Sequence, residues 1–431
     1  MKSSLPTSNS SQQTSTKKDP TITEQNILIK KLQEQLKSLL PTSNSSQQTS
    51  TKKLPPPIVG INNKGNTCYI NAVVQALCAC TPFVDMDWLD LQVQLQNYVG
   101  LDVKEEEHQC TATMEYALSM IKLVNCMRFV SSNPFDKKKL QDLWEKIDNI
   151  KDVDGKSKKF PVDRQGDAAE LLVFTIDYFN VLFKILEKES YLDRTHYVFA
   201  NTYCQHELCE KGWSKGEGKR TFTYNSPYIT NCFGLTTLRR LRQHDKCSCG
   251  EMRKEKETTD LSTYIVLSFP NKKKSTKQLI DIQTLFKYYF QEDEDMKLNC
   301  SNDNCEKQVG IIESCKLYNF PKVLLIYLNR FCSDMEGNTT KNTSRVKIPL
   351  RELDISKYVL NYEEHENVYK QKYDLFHVIF HDGTTPESGH YTNCHLYKGN
   401  AWHIINDKII MPVTDKEIME KLKTNEPYVL L

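Results

Sequence analysis

A cysteine at the junction between a loop and a helix is the first residue of this sequence with evident chemical potential. Cys68 follows turn-forming residues at 60–67 and precedes apolar residues at helical spacing. A thiol in the first helical turn meets unsatisfied backbone N–H groups and the positive end of the helix dipole, which favour the thiolate. Asn63 could turn its side-chain NH2 back and, with the Cys68 N–H, stabilise an oxyanion. The pattern predicts a nucleophile; a buried structural cysteine is the alternative.

His390 has the sequence context that best suits the base for such a nucleophile. An imidazole must hold the thiol proton and later protonate the leaving amine. His390 stands between a glycine and a tyrosine, and the aromatic residues after it predict a hairpin across 388–409. Asn406 and Asp407 follow where the returning strand could bring a polar side chain to the imidazole. This predicts a Cys-His-Asn arrangement, with Asp407 adding charge, forming a turn or helping on the oxyanion side. Three other histidines lack this context and are expected at the surface or in packing: His381, His395 and His403.

Two close pairs of cysteines, about fifty residues apart, predict a metal site. Cys247 and Cys249 form the first pair, and Cys300 and Cys305 form the second. Four thiolates suit tetrahedral zinc, although C-x-C and C-x4-C are looser than the paired C-x2-C spacing of a strong signature. Free structural cysteines are the alternative. A further group lacks a fourth ligand nearby and is expected to be packed thiols: Cys204, His206 and Cys209.

The first 57 residues differ in composition from the remainder of the chain. Residues 5–18 reappear unchanged at 40–53, and both copies are rich in Ser, Thr, Asn and Gln. Such segments bury too little apolar surface to offset their ordering entropy. Heptad-like spacing between the copies predicts a short amphipathic helix at about 21–40, serving docking, weak self-association or only spacing. We therefore expect a disordered region at 1–57 and a globular region at 58–431.

The overall composition indicates a soluble intracellular protein. The chain has 431 residues, 39% of them hydrophobic, and a formal net charge of +2. This near-neutral balance gives no global field for nucleic acid or an anionic membrane. The sequence shows neither an apolar signal core nor the ~18 apolar residues of a membrane span. Fifteen cysteines, an odd number, indicate reduced thiols and residence in the cytoplasm, the nucleus or both.

The order of local patterns indicates an α+β fold. Helical spacing dominates from Tyr69 to about Leu186, and strand-like alternation dominates from about Tyr197 onward. Lysine-rich stretches at 136–159 and 271–277 contain turn formers, and we expect solvated loops there. These elements would have to bring Cys68, early in the globular region, to His390, near its end.

Several segments resemble the ubiquitin-specific proteases. Residues 60–72, GINNKGNTCYINA, resemble the Cys box of that family, and residues 389–407 resemble its His box. The resemblance implies that Cys68 is the nucleophile, Asn63 the oxyanion donor, His390 the base and Asn406 its orienting partner. The His box departs from the family pattern at Cys394 and Ile405.

Two further segments resemble the same family more loosely. Residues 164–179 resemble the Gln-Gln-Asp-Ala-x-Glu-Phe box, with Gly166 and Leu171 at two of its positions. Residues 316–331 resemble the strand that ends in Arg-Phe. The polar residues of the first segment are expected to be capping and first-turn residues rather than catalytic ones: Gln165, Asp167 and Glu170.

The resemblance implies a papain-like cysteine protease with a helical thumb, a β-rich palm and zinc-ribbon-like fingers. The thumb would span about 58–195 and the fingers insertion about 198–320. The expected reaction is hydrolysis of the isopeptide bond between ubiquitin and substrate lysines, without a cofactor in catalysis. The expected partners are ubiquitin and ubiquitinated proteins, and one structural zinc is expected in the fingers. Two alternatives remain open: a catalytically silent ubiquitin-binding scaffold, and a protease for a related modifier such as SUMO.

Overall fold

The computed structural model describes residues 59–84, 115–123, 137–150, 157–188, 229, 232–270, 279–333, 339–360, 371–397 and 401–431. Several predictions lie outside these ranges. They are the disordered region 1–57 with its helix at about 21–40, the lysine-rich loop at 271–277, and the group of Cys204, His206 and Cys209. No helix among the described residues is long and apolar enough to cross a membrane.

The helices of the described residues lie mainly in the first half of the globular region. In chain order they are α1 Cys68–Ala79, α2 Thr81–Val84, α3 at 115–123, α4 Lys137–Asp148, α5 Ala168–Lys188, α6 Ile282–Tyr289 and α7 Asp415–Thr424. Every residue of α1 from Cys68 to Cys78 is buried, so this helix runs through the interior. A helix at the protein surface needs an apolar stripe about 100° wide, whereas a helix buried on all sides needs apolar residues on most of its faces. The sequence of α1 is apolar on most faces.

The strands follow the helices. In chain order they are β1 Leu235–Gln243, β2 Lys256–Ser262, β3 Ile265–Ser268, β4 Ile280–Asp281, β5 Asp293–Asn299, β6 Gln308–Leu317, β7 Ile326–Asn329, β8 Phe331–Ser333, β9 Thr339–Lys341, β10 Val346–Lys347, β11 Leu353–Asp354, β12 Lys372–Tyr373, β13 His377–Thr385, β14 Ser388–Tyr397, β15 Ala401–Asn406, β16 Ile409–Val413 and β17 Pro427–Leu430. The predicted change from helical to strand-like structure along the chain is therefore confirmed.

Two sheets account for most of these strands. A seven-stranded sheet has the order β16-β15-β14-β13-β17-β7-β3, in which β3 and β7 are parallel and the other neighbours are antiparallel. A separate four-stranded sheet has the order β2-β1-β6-β5. Its strands lie between residues 235 and 317, within the segment predicted to form the fingers insertion.

Two apolar clusters form the core. One contains α1, the neighbouring helices and the inner faces of β13, β14 and β17, with Tyr391 and Tyr428 both buried. The other lies across the seven-stranded sheet and includes α6, α7 and Trp402. The sheet thus has apolar side chains packed against both faces, which fixes the strands that carry His390 and Asn406.

One predicted loop is wrong. The lysine-rich stretch at 136–159 contains α4, whose buried residues are Leu140, Leu143, Trp144 and Ile147. These positions have the i, i+3, i+4, i+7 spacing of an amphipathic helix. Lys138 is exposed and Lys139 and Lys146 are half-buried, and the number of lysines obscured the apolar stripe in the sequence.

Candidate active site

Cys68 is the first residue of α1, as the sequence predicts. The residue before it, Thr67, is the N-cap, and its side chain does not cap the first turn. Instead the Thr67 backbone N–H and hydroxyl both donate to the Asn63 Oδ1 atom, at 3.1 and 3.2 Å. Thr67 thus takes up none of the first-turn N–H groups, and at this end of the helix the dipole favours negative charge. Only 2% of Cys68 is exposed.

The imidazole of His390 lies beside the Cys68 thiol and interacts with it electrostatically. Its Nε2 atom lies 2.7 Å from the Asn406 Oδ1 atom, so Nε2–H donates to that oxygen and Nδ1 remains for the thiol. Strand β14 carries His390 and its neighbour β15 ends at Asn406. The interaction with Cys68 is the main cause that raises the pKa of His390 to about 9, and burial opposes it. Folding thus brings together the sulfur and the imidazole that the sequence places 322 residues apart.

Asp407 is the central acceptor of the site. Its Oδ2 atom accepts from Asn63 Nδ2 at 3.1 Å and lies 3.8 Å from His390 Nε2, and its Oδ1 atom accepts from Asn71 Nδ2 at 2.8 Å. Its backbone oxygen accepts from Ile61 N at 2.9 Å. Asp407 also has a positive φ of 50° in the turn between β15 and β16. The structure therefore combines the alternatives that the sequence left open: a turn residue, a charge near the imidazole and a contact on the oxyanion side.

The side chain of Asn63 is held at both ends. Its Oδ1 atom accepts from Thr67, and its Nδ2 group donates one hydrogen to Asp407. The second Nδ2 hydrogen has no partner among these contacts. This arrangement fixes which end of the amide is the donor, because Thr67 N–H can only donate. An oxyanion donor of this kind must be oriented before the reaction, since reorientation would cost free energy in the transition state.

Gln165 is a site residue that the sequence reasoning missed. Its Oε1 atom lies 3.9 Å from the Cys68 sulfur, and its Nε2 group donates to the Pro386 carbonyl at 3.4 Å. Gln165 therefore links the Cys68 thiol to the loop between β13 and β14. The other two polar residues of this segment have the predicted structural roles: Asp167 caps α5 by accepting from Ala169 N at 2.7 Å, and Glu170 pairs with Lys159. In the sequence, a glutamine just before a helix indicates a capping residue. Its position beside Cys68 depends on contacts between distant segments, which the local sequence does not indicate.

Two glycines allow backbone segments to meet at the site. A Cβ atom on Gly389, whose φ is 122°, would lie 2.1 Å from the Asp382 carbonyl oxygen on β13. A Cβ atom on Gly60 would lie 2.3 Å from the Lys408 carbonyl oxygen in the β15–β16 turn. Both distances are far below van der Waals contact, so only glycine fits. The first glycine sets the position of His390, and the second joins the Asn63 loop to Asp407.

The departures from the family boxes have local explanations in packing. A Cβ atom at Gly166 would lie 2.9 Å from the buried Tyr69 ring, so the ring occupies the space of a larger side chain. Leu171, Cys394 and Ile405 are all buried, with exposures of 0%, 0% and 1%. These side chains are therefore part of the apolar core, and the hydrogen bond between His390 and Asn406 is in place beside them.

The four predicted metal ligands form one cluster. The sulfur atoms of Cys247, Cys249, Cys300 and Cys305 all lie within 4.8 Å of one another. Cys247 to Cys305 is 3.7 Å and Cys249 to Cys300 is 3.6 Å, distances too long for disulfides. Thiolates around one tetrahedral zinc at about 2.3 Å would be separated by about 3.8 Å. The cluster can therefore hold a tetrahedral metal ion.

The loops that carry these cysteines direct backbone N–H groups at the sulfur atoms. The Cys249 N–H donates to the Cys247 sulfur, and this hydrogen bond is the main cause that lowers the pKa of Cys247 to about 6. The Cys300 and Cys305 sulfur atoms accept from the backbone N–H groups of Asn302 and Lys307. Such bonds stabilise sulfur that carries negative charge. The cluster lies at the ends of β1, β5 and β6, in the four-stranded sheet.

Sequence comparison identifies the family of the chain. A model of the family described as ubiquitin carboxyl-terminal hydrolase matches residues 59–431. The chain belongs to this family. The chain is 25% identical over 377 residues to ubiquitin carboxyl-terminal hydrolase 2 of Bos taurus, a match that covers 86% of this chain and 54% of that protein. It is also 25% identical over 403 residues to ubiquitin carboxyl-terminal hydrolase 10-A of Xenopus laevis, covering 86% of this chain and 47% of the other.

Solved structures support the fold of the chain. The structure of the SAGA Ubp8/Sgf11/Sus1/Sgf73 DUB module bound to ubiquitin aldehyde matches with a TM-score of 0.56 and 16% identity. The match covers 94% of this chain and 73% of that chain. The predicted α+β, papain-like fold is confirmed, and the four-cysteine cluster is compatible with zinc-ribbon-like fingers. The chain spans about half the length of the curated relatives it matches.

Proposed function

We propose that this chain is a thiol-dependent deubiquitinase. In this proposal it hydrolyses the isopeptide bond between the C-terminal glycine of ubiquitin and a substrate lysine. The observation that carries the proposal is the placement of Cys68 at a helix start beside His390, whose imidazole is hydrogen-bonded to Asn406. Family membership supports the substrate class, and ubiquitin aldehyde is bound in the related Ubp8 module.

In the first half of the reaction, the Cys68 sulfur attacks the carbonyl carbon of the terminal glycine and the carbonyl electrons move to its oxygen. The Cys68 backbone N–H and the free Nδ2 hydrogen of Asn63 stabilise that oxyanion. When the intermediate collapses, the C–N bond breaks and the His390 imidazolium gives its proton to the departing lysine amine. The product is a thioester between Cys68 and the glycine.

In the second half, water attacks the thioester carbonyl while neutral His390 accepts its proton. The same two N–H donors stabilise the second oxyanion, and the Cys68 sulfur leaves as thiolate. Asn406 keeps the imidazole in one tautomer through its 2.7 Å contact with Nε2, and Asp407 adds negative charge 3.8 Å away. Burial of the reacting sulfur limits competing water at the site.

The cysteine cluster is proposed to hold one structural zinc ion. Cys247, Cys249, Cys300 and Cys305 would be its four ligands, and a four-thiolate site leaves no open position for a substrate. The ion would join the ends of β1, β5 and β6 and would take no part in the chemistry. Among the described residues of this sheet end, a small apolar group surrounds the cysteines, so metal binding would supply much of the local folding free energy.

The proposed partners are ubiquitin and ubiquitinated proteins. An extended ubiquitin tail would enter between the helical part, which presents Cys68, and the sheet, which presents His390. Reduced thiols and thiolate chemistry favour the cytoplasm or the nucleus as the compartment.

The direct test compares Cys68→Ala with the parent chain on a ubiquitin–aminomethylcoumarin substrate. The variant should lose turnover and still bind ubiquitin in isothermal calorimetry. Cys78→Ala is the matched control, because Cys78 is a buried cysteine of the same helix, and it should retain turnover. Retained turnover in Cys68→Ala would remove Cys68 from its proposed role.

Two modifier probes test the alternatives. Ubiquitin and SUMO that carry a C-terminal propargylamide both present an electrophile to a reactive thiol. We expect a covalent adduct of about one ubiquitin mass with the parent chain, none with Cys68→Ala, and none with SUMO. Noncovalent binding of ubiquitin without capture would favour the silent scaffold, and preferential capture of SUMO would overturn the assignment to ubiquitin.

A further inference from the structure

A buried lysine lies beside the strand pair that carries His390, outside the site described above. Lys341 is the last residue of β9, and only 4% of its side chain is exposed. Its ammonium donates to the carbonyl oxygens of His381 at 2.8 Å and Gly383 at 2.9 Å, and it forms an ion pair with Glu426. It also lies 2.9 Å from His381 Nδ1. A buried ammonium needs such partners, and here most of them belong to one end of β13.

The contact with Lys341 determines the tautomer of His381. An ammonium has no acceptor, so His381 Nδ1 must accept and its proton must be on Nε2. That Nε2 lies 3.2 Å from the Ser388 carbonyl oxygen and donates to it. Burial and then the charge of Lys341 lower the pKa of His381 to about 4, so the imidazole stays neutral near pH 7. The donor to Ser388 is therefore permanent under working conditions.

The hydrogen bond from His381 to Ser388 links β13 and β14 where the pairing of the two strands is interrupted. Asp382 pairs with His390, but the next pair is Thr385 with Ser388, so a bulge interrupts the register. The bulge removes Gly383 from the ladder, and Lys341 binds its carbonyl. A bulge re-aims the side chains next to it, so the direction of His390 depends on how the bulge is held.

We infer that Lys341 and His381 are positioning residues for His390: Lys341 fixes the bulged end of β13, and His381 carries that constraint across to Ser388, two residues before His390. Neither side chain touches the Cys68 sulfur in this arrangement. The inference about the rate rests on the proposed function. Lys341 and His381 would affect the rate by fixing the direction of the His390 imidazole. A misplaced imidazole loses its interaction with the thiol, and positional errors near 1 Å cost on the order of 100-fold in rate.

The test uses two replacements of His381 that separate its two contacts. His381→Gln keeps an amide donor that reaches Ser388, whereas His381→Asn keeps an acceptor near Lys341 and is too short to reach Ser388. We expect His381→Asn to lower kcat about 10- to 100-fold, as for other outer contacts of a reactive group, with KM changed less than about threefold. His381→Gln should recover at least half of that loss on a logarithmic scale.

A second readout is independent of ubiquitin. The rate of Cys68 alkylation by iodoacetamide is followed from pH 5 to 10, with the Cys68 peptide quantified by mass spectrometry. His381→Asn should shift this pH profile, because the thiol loses its oriented imidazole, and His381→Gln should shift it less. If the parent chain fails on ubiquitin substrates, the proposed function falls, but the alkylation profile still tests the positioning.

Controls separate positioning from loss of stability. His377→Gln changes another fully buried histidine of β13, which contacts Asn393 rather than Ser388, and it should leave the alkylation profile unchanged. Glu426→Gln removes the charged partner of Lys341 at a quarter-exposed position, and it should shift the profile in the same direction as His381→Asn. Parent-like kcat and alkylation profiles in His381→Asn and Glu426→Gln, with or without lower stability, would overturn the inference.

Discussion

Replacing Asp407 with asparagine tests how strongly the rate depends on one negative charge beside the imidazole. The carboxylate lies 3.8 Å from His390 Nε2 and accepts from both Asn63 and Asn71. Asparagine has the same shape and tolerates the positive φ of this turn residue, so the backbone can keep its conformation. The replacement removes the charge and one of the two acceptor oxygens.

The size of the effect follows from the distance. Two unit charges 3.8 Å apart interact by about 4 kcal/mol at an effective dielectric constant of 20, and by about 1 kcal/mol in bulk water. The His390 side chain is 38% exposed and that of Asp407 14%, which places the pair between these limits. About 1.5–2 kcal/mol of imidazolium stabilisation corresponds to a 10- to 30-fold lower kcat. The lost acceptor adds about 1 kcal/mol of lower folding stability.

The assay is steady-state hydrolysis of ubiquitin–aminomethylcoumarin from pH 6 to 10, with urea unfolding measured in parallel. Asn406→Asp with Asp407→Asn is the informative partner variant, because it moves the charge to the position 2.7 Å from His390 Nε2. We expect that double variant to recover most of the kcat lost in Asp407→Asn. An unchanged kcat in Asp407→Asn, or a double variant no better than the single one, would refute the electrostatic role.

Three further predictions follow from the site and its surroundings. Activity should fall as pH rises through about 9 in a pH–rate profile, because the raised pKa of His390 means that its imidazolium, the donor to the leaving amine, is lost there; activity persisting to pH 10.5 would contradict this. A zinc chelator should release about one equivalent of metal and lower the Tm of the parent chain by several degrees. Without chelator, Cys300→Ser should have the same Tm as the chelator-treated parent. A purified parent chain in which spectroscopy detects no metal would contradict the site. Gly166→Ala should lower the free energy of unfolding, measured in urea, by about 1–3 kcal/mol, because the new methyl group would overlap the Tyr69 ring. Gly65→Ala is the comparison for backbone strain alone, because a methyl group there meets open space but the residue has a φ of 104°.

The nucleophile region was predictable because its signals are local. Turn formers followed by apolar residues at helical spacing place the start of α1 at Cys68, and the structure starts it there. The hairpin with His390 was predictable for the same reason, since aromatic alternation and glycine mark strands and their turn. The cysteine pairs were also recognisable, because the two members of each pair lie close together in the sequence.

The rest of the site depends on contacts between distant segments. Gln165 was assigned to capping because its neighbours are capping residues, and nothing in its own segment indicates the thiol. The same holds for Lys341 and His381, whose relation depends on a bulge in β13 and on the position of β9. The helix α4 was missed for a different reason: its charged residues outnumber the apolar ones, and only the spacing of the latter indicated burial.

The position of β17 has a consequence for how the domain can assemble. This strand, Pro427–Leu430, inserts between β13 and β7 and pairs with both, while Ile61 bonds to Asp407. A chain without residues 427–430 would therefore lack the middle of its main sheet. A stop codon shortly before 427 should yield a product unable to assemble the domain.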